Sequence, residues 1–217
     1  LKVYQPVPVA GPRLPHDMAF TENYAILNDM PAFWDPKLLE RNIHAVRFFD
    51  HLPSRFALVP RHGGEVRWFE AAPTYVLHWL NAYEEGDEVV LDGYFQEDPT
   101  PAPHASAQPG YEHMMAFLDE HSFRPKLHRW RFNLKDGSTR EERIDERIME
   151  FGMINGRYAG RKHRYGYSTV TKPGWFLFTG FVKTDFETRQ SAAFNLPEGV
   201  YASEAPFAPR IGGTEED

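Results

Sequence analysis

Apolar and polar residues in this chain alternate in short runs more often than they recur at helical spacing. Runs rich in Val, Phe, Tyr and Trp cover 55–59, 66–71, 74–83, 87–95, 126–134, 158–170 and 175–182, bounded by Gly, Pro, Asp or Asn. That pattern predicts strands. The sequences Arg61-His62-Gly63-Gly64-Glu65 and Lys135-Asp136-Gly137-Ser138 separate alternating runs and predict hairpin turns, and 183–188 is a looser third. Helices are expected at 36–42 and at 111–121, where Met114, Phe117 and Leu118 keep helical spacing. The Pro, Ala, Ser and His residues of 97–110 predict a loop, because strands continue on both sides. The expectation is an all-β chain with short helical insertions, and repeated hairpins suit either a propeller or a sandwich.

Composition narrows the function classes. The 217 residues carry 24 Lys+Arg against 31 Asp+Glu, a net charge of −7, so no nucleic-acid partner is expected. No apolar run approaches the roughly 20 residues of a membrane helix, and no signal-peptide pattern stands at Leu1. A cytoplasmic location is therefore expected. Zero Cys removes disulfides, thiolate metal sites and Cys nucleophiles together, so any transition metal must be held by the 10 His and the carboxylates. With 15% aromatic residues, the chain can furnish both strands and an apolar ligand cavity. It starts without Met and stops at Glu215-Glu216-Asp217 with no closing element, which reads as a piece of something longer.

Dinucleotide-binding, Walker, H-E-x-x-H and G-x-S-x-G signatures are absent, and no His is followed two residues later by Asp or Glu. What remains is scattered His. His78 lies in 74–83, a run apolar on both sides and so expected to be a strand buried on both faces. A buried imidazole needs a partner on each nitrogen, and a metal on one with a carboxylate on the other would satisfy both. His16 sits where polar and apolar residues alternate. Either could instead be structural. The Arg161-Lys162-His163-Arg164 cluster is expected to be structural, and Glu84-Glu85-Gly86-Asp87-Glu88 to be a solvated turn, not a calcium loop.

Four segments then carry a resemblance. His16-Asp17-Met18-Ala19-Phe20-Thr21-Glu22-Asn23-Tyr24, Tyr75-Val76-Leu77-His78-Trp79-Leu80-Asn81-Ala82-Tyr83-Glu84, Glu150-Phe151-Gly152 with Arg161-Lys162-His163-Arg164-Tyr165-Gly166-Tyr167, and Glu204-Ala205-Pro206-Phe207-Ala208-Pro209-Arg210 resemble the carotenoid cleavage oxygenase family, which includes carotenoid, apocarotenoid and lignostilbene dioxygenases. The match runs in order through nearly the whole chain. It implies part of a seven-bladed β-propeller, with residues 1–217 a single partial domain that lacks blades at both ends.

The resemblance further implies a non-haem Fe(II) held by four His, of which His16 and His78 match the second and third. Glu150 and Glu204 match carboxylates that hydrogen-bond ligand imidazoles, and Leu77 and Phe151 match positions lining a substrate tunnel. The implied reaction is dioxygenation of a conjugated C=C bond of a carotenoid, apocarotenoid or stilbene to two carbonyl products. Its partners are an apolar small molecule and O2. The alternatives are an isomerase of the same fold and a propeller used only for binding. Peripheral membrane contact stays open, and the 217 residues alone are expected to be inactive and marginally stable.

Overall fold

A computed structural model describes residues 3–11, 13–42, 46–99, 124–172 and 177–217. Thirteen strands are formed among them. β1 (Ala19–Phe20), β2 (Tyr24–Asp29), β5 (Ser54–Pro60) and β6 (Arg67–Ala71) make a four-stranded antiparallel sheet in that order, and β3 (Ala32–Trp34) pairs with β4 (Val46–Phe48). A second sheet runs as a meander through β7 (Trp79–Glu85), β8 (Glu88–Phe95), β9 (Lys126–Asn133), β10 (Thr139–Met153), β11 (Tyr165–Thr171), β12 (Phe178–Asp185) and β13 (Ser191–Asn195). The 15-residue β10 belongs to two neighbourhoods: 139–148 pairs with β9 and 149–153 with β11. The chain thus forms successive four-stranded antiparallel units, the pattern of propeller blades. A sandwich would need two sheets closing on one shared core.

Two apolar layers hold the units together. Phe56 and Phe69 of the first sheet meet Trp79, Trp130 and Phe132 of the second, with ring centroids 4.9 to 5.9 Å apart. Leu80, Tyr94, Leu127, Met149, Val182 and Phe186 form the second layer. Lying between the layers, β8 is buried along almost its whole length. β12, covered on one face, alternates buried and half-buried positions.

Several expectations need correction. The run 74–83 does not form one strand: β7 begins at Trp79, and Thr74 trades ladder bonds for side-chain ones, its hydroxyl donating to the Gln96 carbonyl and accepting from the Gln96 N–H. His78 consequently lies before the strand with its side chain 23% exposed, not buried on both faces. The run 158–170 is likewise divided. Gly156–Tyr158 is a 3-10 turn, and Asn81 holds the connection to β11 by accepting from the Gly160 N–H and donating to the Arg161 carbonyl.

Helix α1 covers only Pro36–Leu39, capped by the Asp35 carboxylate. The helix expected at 111–121, and most of the loop at 97–110, lie outside the described residues. The expected strand at 175–182 is found at Phe178–Asp185, and the turn expected at 183–188 falls after Asp185. The expected runs leave out β1 to β4 and the edge strand β13, whose residues are all exposed, and the hairpin turn at 135–138 predicts only the start of the long β10. The cluster at 161–164 is structural: Arg161 pairs with Glu22, Lys162 with Glu85, Arg164 with Asp185, and His163 is buried. The acidic turn at 84–88 is likewise occupied by Lys and Arg partners, and Lys162 and Arg131 hold the Glu85 carboxyl down to about 2.

Candidate metal centre

Two chain segments that each lead into a strand bring the candidate ligands together. His16 precedes β1, and His78 precedes β7. Their rings stand 5.1 Å apart between centroids, at an interplanar angle of 82°. Both line one cleft of about 430 Å³, together with Asp17, Trp79, Leu80, Phe151, Gly152, Met153, Ile154, Gly156 and Glu204.

Behind His78, Nδ1 lies 2.7 Å from Glu150 Oε2. Glu150 is 1% exposed, so this carboxylate is committed to the interior and to its few partners. A local irregularity aims it. The β10–β11 register shifts between Glu150 and Met153, and Phe151 takes a left-handed backbone with φ of 50°. The Phe151 N–H then donates to Oε2 of Glu150, and the Thr169 hydroxyl donates to the Glu150 carbonyl at 2.8 Å. Gly152 follows, at a position where no Cβ fits: one would stand 2.2 Å from the Tyr94 hydroxyl and 2.7 Å from Leu80.

Burial works against protonating His78. The hydrogen bond and charge of Glu150 outweigh it, with Asp17 and Glu204 adding, so the His78 pKa is raised. The same concentration of negative charge favours a cation beside the ring. With Nδ1 engaged by Glu150, Nε2 is the nitrogen left to coordinate. The spacing of the rings also suits a shared ion. A metal–nitrogen bond of about 2.1 Å and an angle of about 100° would place two imidazole centroids about 5 Å apart. The donor set therefore fits a transition metal, although among the described residues no group of three or more His, Asp or Glu gathers to hold one.

Glu204 lies on the same cleft and its charge reaches His78, but among the described residues no hydrogen bond joins it to either imidazole. Phe151 lines the cleft, its ring 4.8 Å from His78 and 5.0 Å from Phe178. Leu77 is half-buried and is not part of the cleft wall. Sequence reasoning gave no role to Asp17 or Gly152. Their only signal was position, one beside His16 and the other two residues after Glu150.

The family profile described as retinal pigment epithelial membrane protein matches residues 1–217. The chain is 31% identical over 229 residues to carotenoid 9,10(9',10')-cleavage dioxygenase 1 of Pisum sativum, covering 98% of this chain and 41% of that protein. It is 32% identical to carotenoid 9,10(9',10')-cleavage dioxygenase of Crocus sativus, again over 98% of this chain and 41% of the relative. A variant of Synechocystis apocarotenoid oxygenase superposes with a TM-score of 0.80 at 23% identity, over 94% of this chain and 43% of that one. The chain thus spans less than half the length of these relatives.

Proposed function

We propose, since the chain belongs to the carotenoid cleavage oxygenase family, that residues 1–217 are part of one larger propeller domain and contribute His16 and His78 to a non-haem Fe(II) centre. The full-length protein then cleaves a conjugated C=C bond of a carotenoid, apocarotenoid or stilbene into two carbonyl products. The observation that carries this reading is the approach of the two imidazoles on one cleft, with Glu150 bonded to the far side of His78. When bound, the iron supplies activation of O2 for insertion of both oxygen atoms into the substrate.

This chain's residues do the positioning. Glu150 fixes the rotation and tautomer of His78. Phe151, Leu80, Met153 and Ile154 give the cleft an apolar wall against which a polyene or stilbene can lie and from which water is displaced. No side chain is needed as a nucleophile. Glu204 is proposed to act on a ligand imidazole through its charge, and Leu77 to pack behind the wall. No helix among the described residues is long and apolar enough to cross a membrane.

The test uses full-length protein prepared without oxygen, with iron content, O2 uptake and product masses measured on an apocarotenal and a stilbene. The expected result is stoichiometric iron, O2 consumption and two carbonyl products carrying oxygen from O2. A product of unchanged mass would show isomerisation instead. Absence of iron from active-site preparations, with tight retention of the unreacted polyene, would show a binding module.

A further inference from the structure

Asp17 occupies an unusual place between the two imidazole-bearing segments. It follows His16 directly, and its Oδ2 accepts a hydrogen bond of 3.0 Å from the backbone N–H of Trp79, the residue that directly follows His78. Its Oδ1 accepts from the Met18 N–H at 2.7 Å, and its own carbonyl accepts from the Asn28 side chain of β2 at 2.7 Å. One side chain thus ties the residue after one candidate ligand to the residue after the other. Neither segment is held in a sheet ladder at its His, since β1 starts at Ala19 and β7 at Trp79.

We propose that Asp17 is a positioning residue that sets the spacing of His16 and His78, and so the affinity and geometry of the metal they share. This rests on the metal reading above. The chemistry requires a carboxylate. Two N–H donors on different segments approach the two oxygens, and a hydrogen bond to an ionised acceptor is roughly twice as strong as a neutral one. An Asn at this position presents one oxygen and turns its NH2 against the other donor, so one tie is lost while size and shape are kept. Trp79 is the right residue to hold. Its ring packs between Phe56 and Trp130 in the layer joining the two sheets, so a fixed Trp79 N–H references the His78 segment to the core, and Asp17 references the His16 segment to it.

The experiment measures Co(II) binding and the visible spectrum of the Co(II) form in full-length protein, alongside thermal unfolding of the metal-free form. Asp17→Asn should lower Co(II) affinity by about 10–100-fold and shift the ligand-field bands, while metal-free unfolding moves little. Asn28→Ala, which loosens Asp17 from the β2 side, should shift the same bands by less, and it keeps the question answerable if Asp17→Asn folds poorly. His16→Ala and His78→Ala distinguish the two levels. If both bind Co(II) as the wild type does, the metal reading falls and this proposal with it. If both lose the ion while Asp17→Asn and Asn28→Ala keep wild-type affinity and bands, only the positioning role is overturned.

Discussion

The imidazoles of His16 and His78, which enter different sheets, stand 5.1 Å apart and nearly perpendicular, and Glu150 bonds His78 Nδ1 from the buried side. A carboxylate bonded in this way orients a ligand imidazole and makes it a better donor. In full-length protein Glu150→Gln should therefore lower iron affinity or turnover by roughly 10–100-fold. Iron content after dialysis and the initial cleavage rate check this, and wild-type values for both would refute it.

Gly152 follows the bend that aims Glu150 and lies hard against the core. A methyl group there would meet the Tyr94 hydroxyl, which is itself 2.7 Å from the Ser168 hydroxyl inside the core. Gly152→Ala should destabilise the protein by about 1–3 kcal/mol through overpacking, more than the extra side chain stabilises a strand. Adding Tyr94→Phe removes the nearest atom and should recover part of the loss. Denaturant unfolding of the two variants decides the matter, and equal stability of Gly152→Ala and wild type would contradict the argument.

Arg129 and Asp92 form a two-point ion pair, at 2.7 and 2.9 Å, with side chains 5% and 0% exposed. The guanidinium also lies over the Phe186 ring. Removing only one partner leaves a buried charge, so Asp92→Ala should cost about 3–5 kcal/mol. Replacing both, as Asp92→Leu with Arg129→Met, should cost less than the single change. A double replacement as damaging as the single one would show that the pair contributes net stability.

His163 is buried beside this pair. The Asn81 side-chain N–H donates to its Nδ1 at 3.0 Å, Asp92 lies 3.8 Å from its Nε2, and Arg129, Glu216 and Tyr83 are near. Burial depresses its pKa below the ordinary 6.5. Asp92 and Glu216 oppose that, and Arg129 reinforces it. The unfolded chain then binds a proton that the folded one refuses, so stability is full above pH 6.5 and falls as pH drops from 6.5 toward the depressed value. His163→Asn keeps an acceptor for Asn81 and removes the titration. Its unfolding free energy should vary less between pH 7 and 5 than that of the wild type, and identical slopes would show that His163 contributes nothing there.

Much of the architecture follows from local chemistry. Asp136-Gly137 makes the β9–β10 turn with Gly137 at φ 78°, a conformation open to glycine, and the Val- and Phe-rich run beside it becomes β8 because both faces find apolar cover. The short motifs of the resemblance also name His16, His78 and Glu150, which the fold brings side by side. Other features needed contacts from distant residues. The extent of β10 was not legible beyond the hairpin turn that starts it, because its charged stretch Thr139 to Glu146 takes its strand form from pairing with β9, not from its own apolar pattern. His78 was expected inside a buried strand, yet the Ser54 hydroxyl accepts from the Thr74 N–H, the Thr74 hydroxyl bonds the backbone N–H and carbonyl of Gln96, and the strand starts only after His78, which stands at the cleft. The residue types able to hold a metal are written in the sequence. Their approach is a matter of tertiary contacts, among them the Asp17 bond to the Trp79 N–H and the Glu150 bond to His78, because spacing along the chain carries no information about which segments will share a hydrogen bond across two sheets.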